Sequence, residues 1–167
     1  VRDLLIHEVE KLVIDSKPTY DAVLSFLNIY MPVLKDHVVF YEGTEPVFDA
    51  YNLEGDISRG LKRKVWLKSG GYITIEHTEA LVAIDVNSGR ATKEGSIEQT
   101  ALNTNLEAAE EVARQLRLRD LAGLIVIDFI DMDERRNNIA VEKRLKDKLQ
   151  SDRARIQVGR ISGFGLM

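Results

Sequence analysis

Two apolar runs that each end in an aspartate constrain the fold of this chain most. The first is LVAID at residues 81–85, and the second is LIVID at residues 124–128. Runs of this kind are typical of strands buried on both faces, and the segment between them has about the length of a helical crossover. The pattern over residues 80–132 therefore predicts a strand, a helix and a second, parallel strand. Asp85 and Asp128 would then lie at one edge of the sheet.

Two carboxylates at such an edge indicate a magnesium site. Ligands of open α/β sheets bind at the carboxyl ends of the strands, and neighbouring carboxylates repel each other unless a cation lies between them. Magnesium usually takes one or two carboxylates and completes its shell with water and substrate phosphate. The alternative is that Asp85 and Asp128 only cap strand ends or the helices that follow, and their spacing leaves both interpretations open.

The residues next to these aspartates have two possible roles each. Asn87 follows Asp85 by two positions, so a continuing strand directs both side chains to the same face. Asn87 could orient a carboxylate or bind a phosphate oxygen, although NSG is also an ordinary turn sequence. Arg90 and Lys93 in the same loop are either phosphate contacts or solvated cations. Asp131 is predicted to cap the next helix rather than to serve as a third ligand.

Charge is distributed unevenly along the chain. Residues 1–60 carry 5 basic and 11 acidic side chains, whereas residues 135–167 carry 9 basic and 3 acidic ones. The net charge of -4 argues against a nucleic-acid partner only as an average, because a polyanion responds to the local basic surface. Arg153 and Arg155 in this basic segment are either a phosphate clamp or a pair of surface arginines.

Composition excludes several classes of function. The absence of cysteine excludes disulfides, cysteine zinc sites and thiol catalysis within the chain. The lack of cysteine also fits a cytoplasmic protein. No apolar run is long enough to span a bilayer and none resembles a signal peptide. The three histidines lack metal-ligand spacing, and Trp66 and the tyrosines are expected in the core rather than as base-stacking platforms.

Hydrophobic periodicity divides the chain into two α/β parts, with a boundary near Leu61. The first part is predicted to hold two strands and three helices: strands at 11–15 and 38–41, helices at 1–9, 18–30 and 48–61. The second part opens on a period-two pattern around an SGG turn, which predicts a β-hairpin. Its later elements are a helix from 97 or 105 to 119, a strand at 124–130, a charged helix at about 134–150 and a last strand at 156–161. In the charged helix, Ile139, Val141, Leu145 and Leu149 are expected to face inward, after a cap at Asp131 or Asp133.

Six longer motifs in a fixed order resemble the ribonuclease E/G family. They lie at residues 83–92, 103–109, 114–121, 124–132, 152–155 and 161–166. The likeness covers the whole chain, more loosely before Arg63. It implies an α/β fold in which residues 62–167 form a deoxyribonuclease-I-like catalytic subdomain with a mixed sheet. Residues 1–61 would form a partial RNase H-like subdomain before it.

The resemblance also implies a function. Members of the family are endoribonucleases that cut single-stranded RNA in RNA processing and mRNA decay, leaving 5′-phosphate and 3′-hydroxyl ends. By motif position Asp85 and Asp128 would hold Mg²⁺, for which Mn²⁺ could substitute, and Asn87 would assist them in catalysis. Arg155, with Arg90 and Lys93, would bind the RNA.

Other parts of the family are expected to lie outside this chain. An OB-fold RNA-binding domain and a 5′-monophosphate sensor would precede residue 1, and a cysteine motif and a dimerising domain would follow residue 167. The chain is therefore expected to be a catalytic-core fragment, weakly active or inactive alone, that cannot form the zinc link of the homo-oligomeric full-length proteins. Two rival interpretations are a non-catalytic RNA-binding or scaffold module and a DNA-directed or general phosphodiesterase.

Overall fold

The computed structural model describes residues 9–89, 97–150, 152 and 154–167. The chain divides into two compact units, residues 1–56 and 57–167. The domains expected at 1–61 and 62–167 stay predictions, both in their bounds and in their folds. The helix expected at 1–9 lies almost wholly outside the described residues, as do Arg90, Lys93 and Arg153.

The first unit contains two strands and a helix where the sequence predicts them, at 11–15, 38–41 and 18–30, and its strands form a small parallel sheet. Strands β1 (Leu12–Ile14) and β2 (Val38–Phe40) pair in parallel, and helix α1 (Lys17–Tyr30) and a 3-10 helix (Pro32–His37) connect them. Proline occupies the first turn of both helices, where its missing N–H has no helical partner to lose. Ile14, Leu27, Leu34 and Val38 form the core of this unit.

The single helix predicted at 48–61 is two helices, α2 (Val47–Ala50) and α3 (Leu53–Gly60). The break falls at Asn52, which has a φ of 55°. Asparagine is one of the few residues that adopts this left-handed conformation readily, and a helix cannot continue through it. The apolar period alone did not reveal the break.

The second unit is built on a four-stranded mixed sheet in the order β3-β4-β5-β6. Its strands are β3 (Lys64–Trp66), β4 (Tyr72–His77), β5 (Val82–Asn87) and β6 (Ile125–Asp128). The first three strands are antiparallel, while β5 and β6 are parallel. Helix α4 (Ile97–Leu118) connects β5 to β6, and helix α5 (Arg135–Leu149) follows. Both the predicted hairpin and the predicted strand–helix–strand unit are confirmed.

One face of this sheet packs with the two helices and forms the core. The core includes Ile73, Ile84 and Ile127 from the strands, a run of alanines from α4, and Leu145 from α5. The opposite face, here called the open face, follows from the strand pairing because directly paired residues project to the same side. It carries Lys64, Trp66, Tyr72, Thr74, Asp85, Asn87 and Asp128.

Three predictions about the second unit are wrong. Trp66 is 64% exposed rather than in the core, because it lies on the open face. Ile139 is exposed because the buried stripe of α5 advances four residues at a time, from Asn137 through Val141. The strand expected at 156–161 is irregular, since the free edge of β6 is taken by residues 165–167 instead.

No helix in the described part of the chain is both long enough and apolar enough to cross a membrane.

Candidate functional site

Asp85 and Asp128 are direct neighbours on adjacent strands. Asp85 in β5 pairs in register with Asp128, the last residue of β6. Adjacent strands lie about 4.8 Å apart, and both side chains are exposed on the open face. The alternating burial of β5, in which Ile84 and Val86 face the core, is what turns Asp85 toward solvent. The fold therefore brings together the two carboxylates that the sequence singles out.

Asn87 joins this pair through a hydrogen bond. It is the last residue of β5, two positions beyond Asp85, and its Nδ2 donates to Asp85 Oδ2 at 2.5 Å. The chain turns away at Gly89, which has a φ of 57°, and a Cβ there would lie 2.4 Å from the Gly70 carbonyl oxygen. The predicted turn thus exists, but it begins after Asn87, whose side chain stays with the aspartates.

A buried asparagine of α4 holds the chain just beyond Asp128. Asn105 Nδ2 donates to the Ile130 carbonyl oxygen at 2.8 Å, and the Ile130 N–H donates to Asn105 Oδ1 at 3.0 Å. Asn105 is fully buried. Its two bonds satisfy the backbone N–H and C=O groups of Ile130, which lies beyond the end of β6 and, within the described residues, is not paired with another strand. The sequence signal for Asn105 is a polar residue next to the apolar stripe of α4, on the side of the helix that is buried.

Glu98 caps the next helix from outside it. Its carboxylate accepts bonds from the Asp133 N–H at 3.0 Å, the Glu134 N–H at 3.2 Å and Asn137 Nδ2 at 2.5 Å. These bonds lower the pKa of Glu98, and the bond from the Asp133 backbone contributes most. The predicted cap by Asp131 or Asp133 is wrong, since the N-cap residue of α5 is Glu134, which forms no side-chain cap bond.

The C-terminal segment completes the surroundings of Asp128. Ile127 exchanges two backbone hydrogen bonds with Met167, and the Phe129 N–H donates to the Gly165 carbonyl oxygen. A Cβ on Gly165 would lie 2.9 Å from Asp131 Oδ1 and 3.7 Å from Asp128 Oδ1. Beside it is a cavity of about 480 Å³ whose lining includes Asp131.

The donor set fits a hard divalent cation that is only partly ligated by protein. In the described residues, no group of three or more His, Cys, Asp or Glu side chains could hold a metal ion. Two exposed carboxylates and one amide correspond instead to the few protein ligands that magnesium takes when water and phosphate complete its shell. Arg155 lines two cavities. Neither Asp85 nor Asp128 is among the described residues that line these cavities.

The sequence profile described as "Ribonuclease E/G family" matches residues 1–167. The chain belongs to the ribonuclease E/G family. It is 50% identical to Ribonuclease E of Haemophilus influenzae over all of this chain and 18% of that protein. It is 49% identical to Ribonuclease E of Escherichia coli, over 99% of this chain and 16% of that protein. Ribonuclease G of E. coli is 41% identical over all of this chain and 34% of its own length.

Membership of the ribonuclease E/G family confirms the resemblance that the motifs indicate. The chain spans between about a sixth and a third of the length of these curated relatives. The roles expected for Asp85, Asn87 and Asp128 stay predictions, although the structure brings these three side chains together. Arg155 lines cavities whose described lining includes none of these three residues, and Arg90 and Lys93 fall outside the described residues.

Proposed function

We propose that this chain is the catalytic part of a magnesium-dependent endoribonuclease that acts on single-stranded RNA in cytoplasmic RNA processing and mRNA decay. The observation that carries the proposal is the in-register pairing of Asp85 with Asp128, with Asn87 bonded to Asp85. Relatives named Ribonuclease E and Ribonuclease G support the endoribonuclease class. The products would carry 5′-phosphate and 3′-hydroxyl ends.

Asp85 and Asp128 would hold Mg²⁺, and Mn²⁺ could substitute. Both carboxylates are exposed and adjacent, so the mutual repulsion that a cation relieves is built into the strand pairing. When bound, the ion would supply positive charge to the scissile phosphate and lower the pKa of an attacking water.

The remaining residues would position the site and the RNA. Asn87 uses one amide hydrogen on Asp85, which leaves the second for a phosphate oxygen. Asn105 and Glu98 hold the chain from Ile130 to Glu134, and so keep Asp128 from shifting along its strand. Arg155, with Arg90 and Lys93, would contact the RNA backbone through charge-assisted hydrogen bonds.

The proposal extends to the fold and the assembly. The mixed sheet with two helices on one face is the part to which we assign the deoxyribonuclease-I-like subdomain, and the small parallel sheet would belong to the RNase H-like subdomain. As in the full-length family, a homo-oligomer would be the active form.

Substitution of the paired aspartates tests the proposed function. In the full-length protein, we expect Asp85→Asn and Asp128→Asn each to lower magnesium-dependent cleavage of single-stranded RNA at least about 100-fold, because each removes a carboxylate that stabilises the bound cation. Circular dichroism and thermal unfolding should stay unchanged, since both side chains are exposed. Glu79→Gln, an exposed acid in the β4–β5 turn, is the matched control and should cleave as the wild type does.

Matched substrates separate the rival functions. Single-stranded RNA and DNA of the same sequence are incubated with the full-length protein that contains this chain, with magnesium or with EDTA. The proposal requires RNA cleavage that EDTA abolishes. Equal cleavage of DNA would indicate a general phosphodiesterase, and RNA binding without cleavage under either condition would indicate a non-catalytic module. Wild-type cleavage by either aspartate variant would show that the site is assigned to the wrong residues.

A further inference from the structure

Lys64, Trp66 and Tyr72 form a compact cluster that the core does not require. The rings of Trp66 and Tyr72 meet edge to face, with centroids 5.3 Å apart. Lys64 Nζ lies 4.2 Å from the Trp66 centroid and 3.5 Å from the Tyr72 centroid. Trp66 is nevertheless 64% exposed, so a large, rigid aromatic surface beside a cation faces solvent.

This cluster lies on the same face of the sheet as the aspartates. Tyr72 pairs directly with Asn87, and Trp66 pairs with Tyr72 on the next strand. Paired residues on adjacent strands have Cα atoms about 5 Å apart. The cluster therefore begins one strand from Asn87 and ends at Trp66, two strands or about 10 Å away. A single strand that runs across the open face from Asp85 and Asp128 would therefore pass over this cluster.

Its chemistry matches single-stranded nucleic acid. Grooves that bind single strands combine aromatic side chains, on which bases stack, with cations that follow the backbone. Unstacked RNA bases are recognised in the same way, on aromatic faces. The open face offers both groups next to the acidic pair, whereas the acidic pair alone would repel the phosphates that flank the scissile one.

We propose that Lys64, Trp66 and Tyr72 are a nucleotide-binding platform for the RNA substrate. A base next to the scissile phosphate stacks on Trp66, Tyr72 supports the Trp66 ring edge to face, and the ammonium group of Lys64 contacts the adjoining phosphate. This platform deepens the proposed endoribonuclease function and rests on it, because it assigns a substrate contact of the same site.

Trp66 reports on its own contact, since it is the one tryptophan among the 167 residues. The protein is titrated in EDTA with single-stranded RNA of about 10 nucleotides, a length that single-strand grooves cover. We expect quenching of tryptophan fluorescence on binding. The same RNA with an abasic nucleotide placed at each position in turn should lose the quenching at one position only. Electrophoresis afterwards checks that the RNA is uncut.

Variants then separate stacking from structure. Trp66→Ala should weaken RNA binding about 10-fold, as loss of a stacked base does, while Trp66→Phe retains most of the affinity. Lys64→Ala should weaken binding and flatten its salt dependence. Tyr51→Ala removes another exposed aromatic side chain and serves as the matched control, with wild-type binding expected.

The outcomes distinguish this inference from the proposed function. Wild-type RNA affinity of Trp66→Ala, together with wild-type tryptophan fluorescence that RNA does not quench and intact cleavage by the full-length wild type, would overturn the platform alone. Quenching in the wild type and weakened binding by Trp66→Ala, in a case where the full-length protein cuts no RNA, would support the platform and overturn the nuclease. Unchanged RNA binding by Trp66→Ala together with a smaller assembly mass would show that the cluster contacts protein, which also overturns the platform.

Discussion

Gly165 controls how closely the C-terminal segment approaches the aspartates. Its φ is 73°, and a Cβ there would lie 2.7 Å from the Phe129 carbonyl oxygen and 2.9 Å from Asp131 Oδ1. A side chain at this position therefore meets a backbone atom that cannot move aside, in a conformation that costs an L-residue about 1–2 kcal/mol. The glycine allows residues 165–167 to lie flat against β6 next to Asp128.

Gly165→Ala should lower the free energy of unfolding by about 1–3 kcal/mol, from backbone strain and the clash together. The midpoint of urea denaturation measures the change. Gly163→Ala is the matched control from the same turn, because nothing lies within 4 Å of a Cβ there, and its midpoint should move little. Equal midpoints for the two variants would contradict the close approach at Gly165.

Single residues differ in how far the sequence could predict them. Asp85 and Asp128 were predictable because each ends an apolar run, and a strand period determines the face on which they project. The exposure of Trp66 was not, because β3 is only three residues long and shows too little alternation to assign a face. Glu98 was not predictable either, since its partners lie 35 to 39 positions away along the chain.

A side chain in the first turn of α4 caps the beginning of α5. Glu98 lies in the first turn of α4 and accepts hydrogen bonds from the backbone that leads into α5 and from Asn137 inside it. Asn105, two turns further along α4, bonds both backbone groups of Ile130. One helix thereby supports the connection between β6 and α5 at two points, and Asp128 lies immediately before this supported stretch.

We expect Glu98→Gln to make the stability of the folded protein less dependent on pH. The pKa of Glu98 is lowered from its ordinary value of 4.5, first by the hydrogen bond from the Asp133 backbone. A carboxylate with a lowered pKa adds stability that is present above pH 4.5 and is lost as the pH falls through the folded-state pKa. The melting temperature of the wild type should therefore exceed that of Glu98→Gln near neutral pH, and the difference should shrink below pH 4.5.

The matched control for this pH series is Glu79→Gln, which changes an exposed acid in a turn. Its melting temperature should equal that of the wild type at every pH. A difference between wild type and Glu98→Gln that stays constant from neutral pH to well below 4.5 would contradict a cap that acts through the ionised carboxylate.

Whole elements could be predicted where one period runs over many residues. The β5–α4–β6 unit was predictable for this reason, since α4 buries an apolar stripe along 22 residues. The ends of elements and the positions of short strands are harder to predict, because different segments compete for the same free edge of a sheet. Residues 156–161 have strand-like composition, yet β6 has one free edge and residues 165–167 occupy it through paired bonds between Ile127 and Met167.

At the scale of the whole molecule, charge separates along the chain. The first 60 residues carry an excess of six acidic groups, and residues 135–167 carry an excess of six basic ones. A polyanion is therefore attracted by the C-terminal part of the second unit and repelled by the first unit. The aspartates alone would repel RNA, so we expect binding to draw on cations, for which Arg155 and Lys64 are the proposed candidates, and to depend strongly on salt.

RNA affinity should fall linearly with salt on logarithmic axes, with a slope of about 0.7 for each phosphate contact to a single strand. Fluorescence anisotropy in EDTA measures it between about 50 and 200 mM salt. If Arg155 contacts a phosphate, Arg155→Ala should reduce the magnitude of this slope by about 0.7. Lys35→Ala, which removes an exposed cation from the acidic first unit, is the matched control and should keep the wild-type slope. An unchanged slope for Arg155→Ala would mean that Arg155 is a surface arginine that does not bind RNA, and that other cations hold the strand.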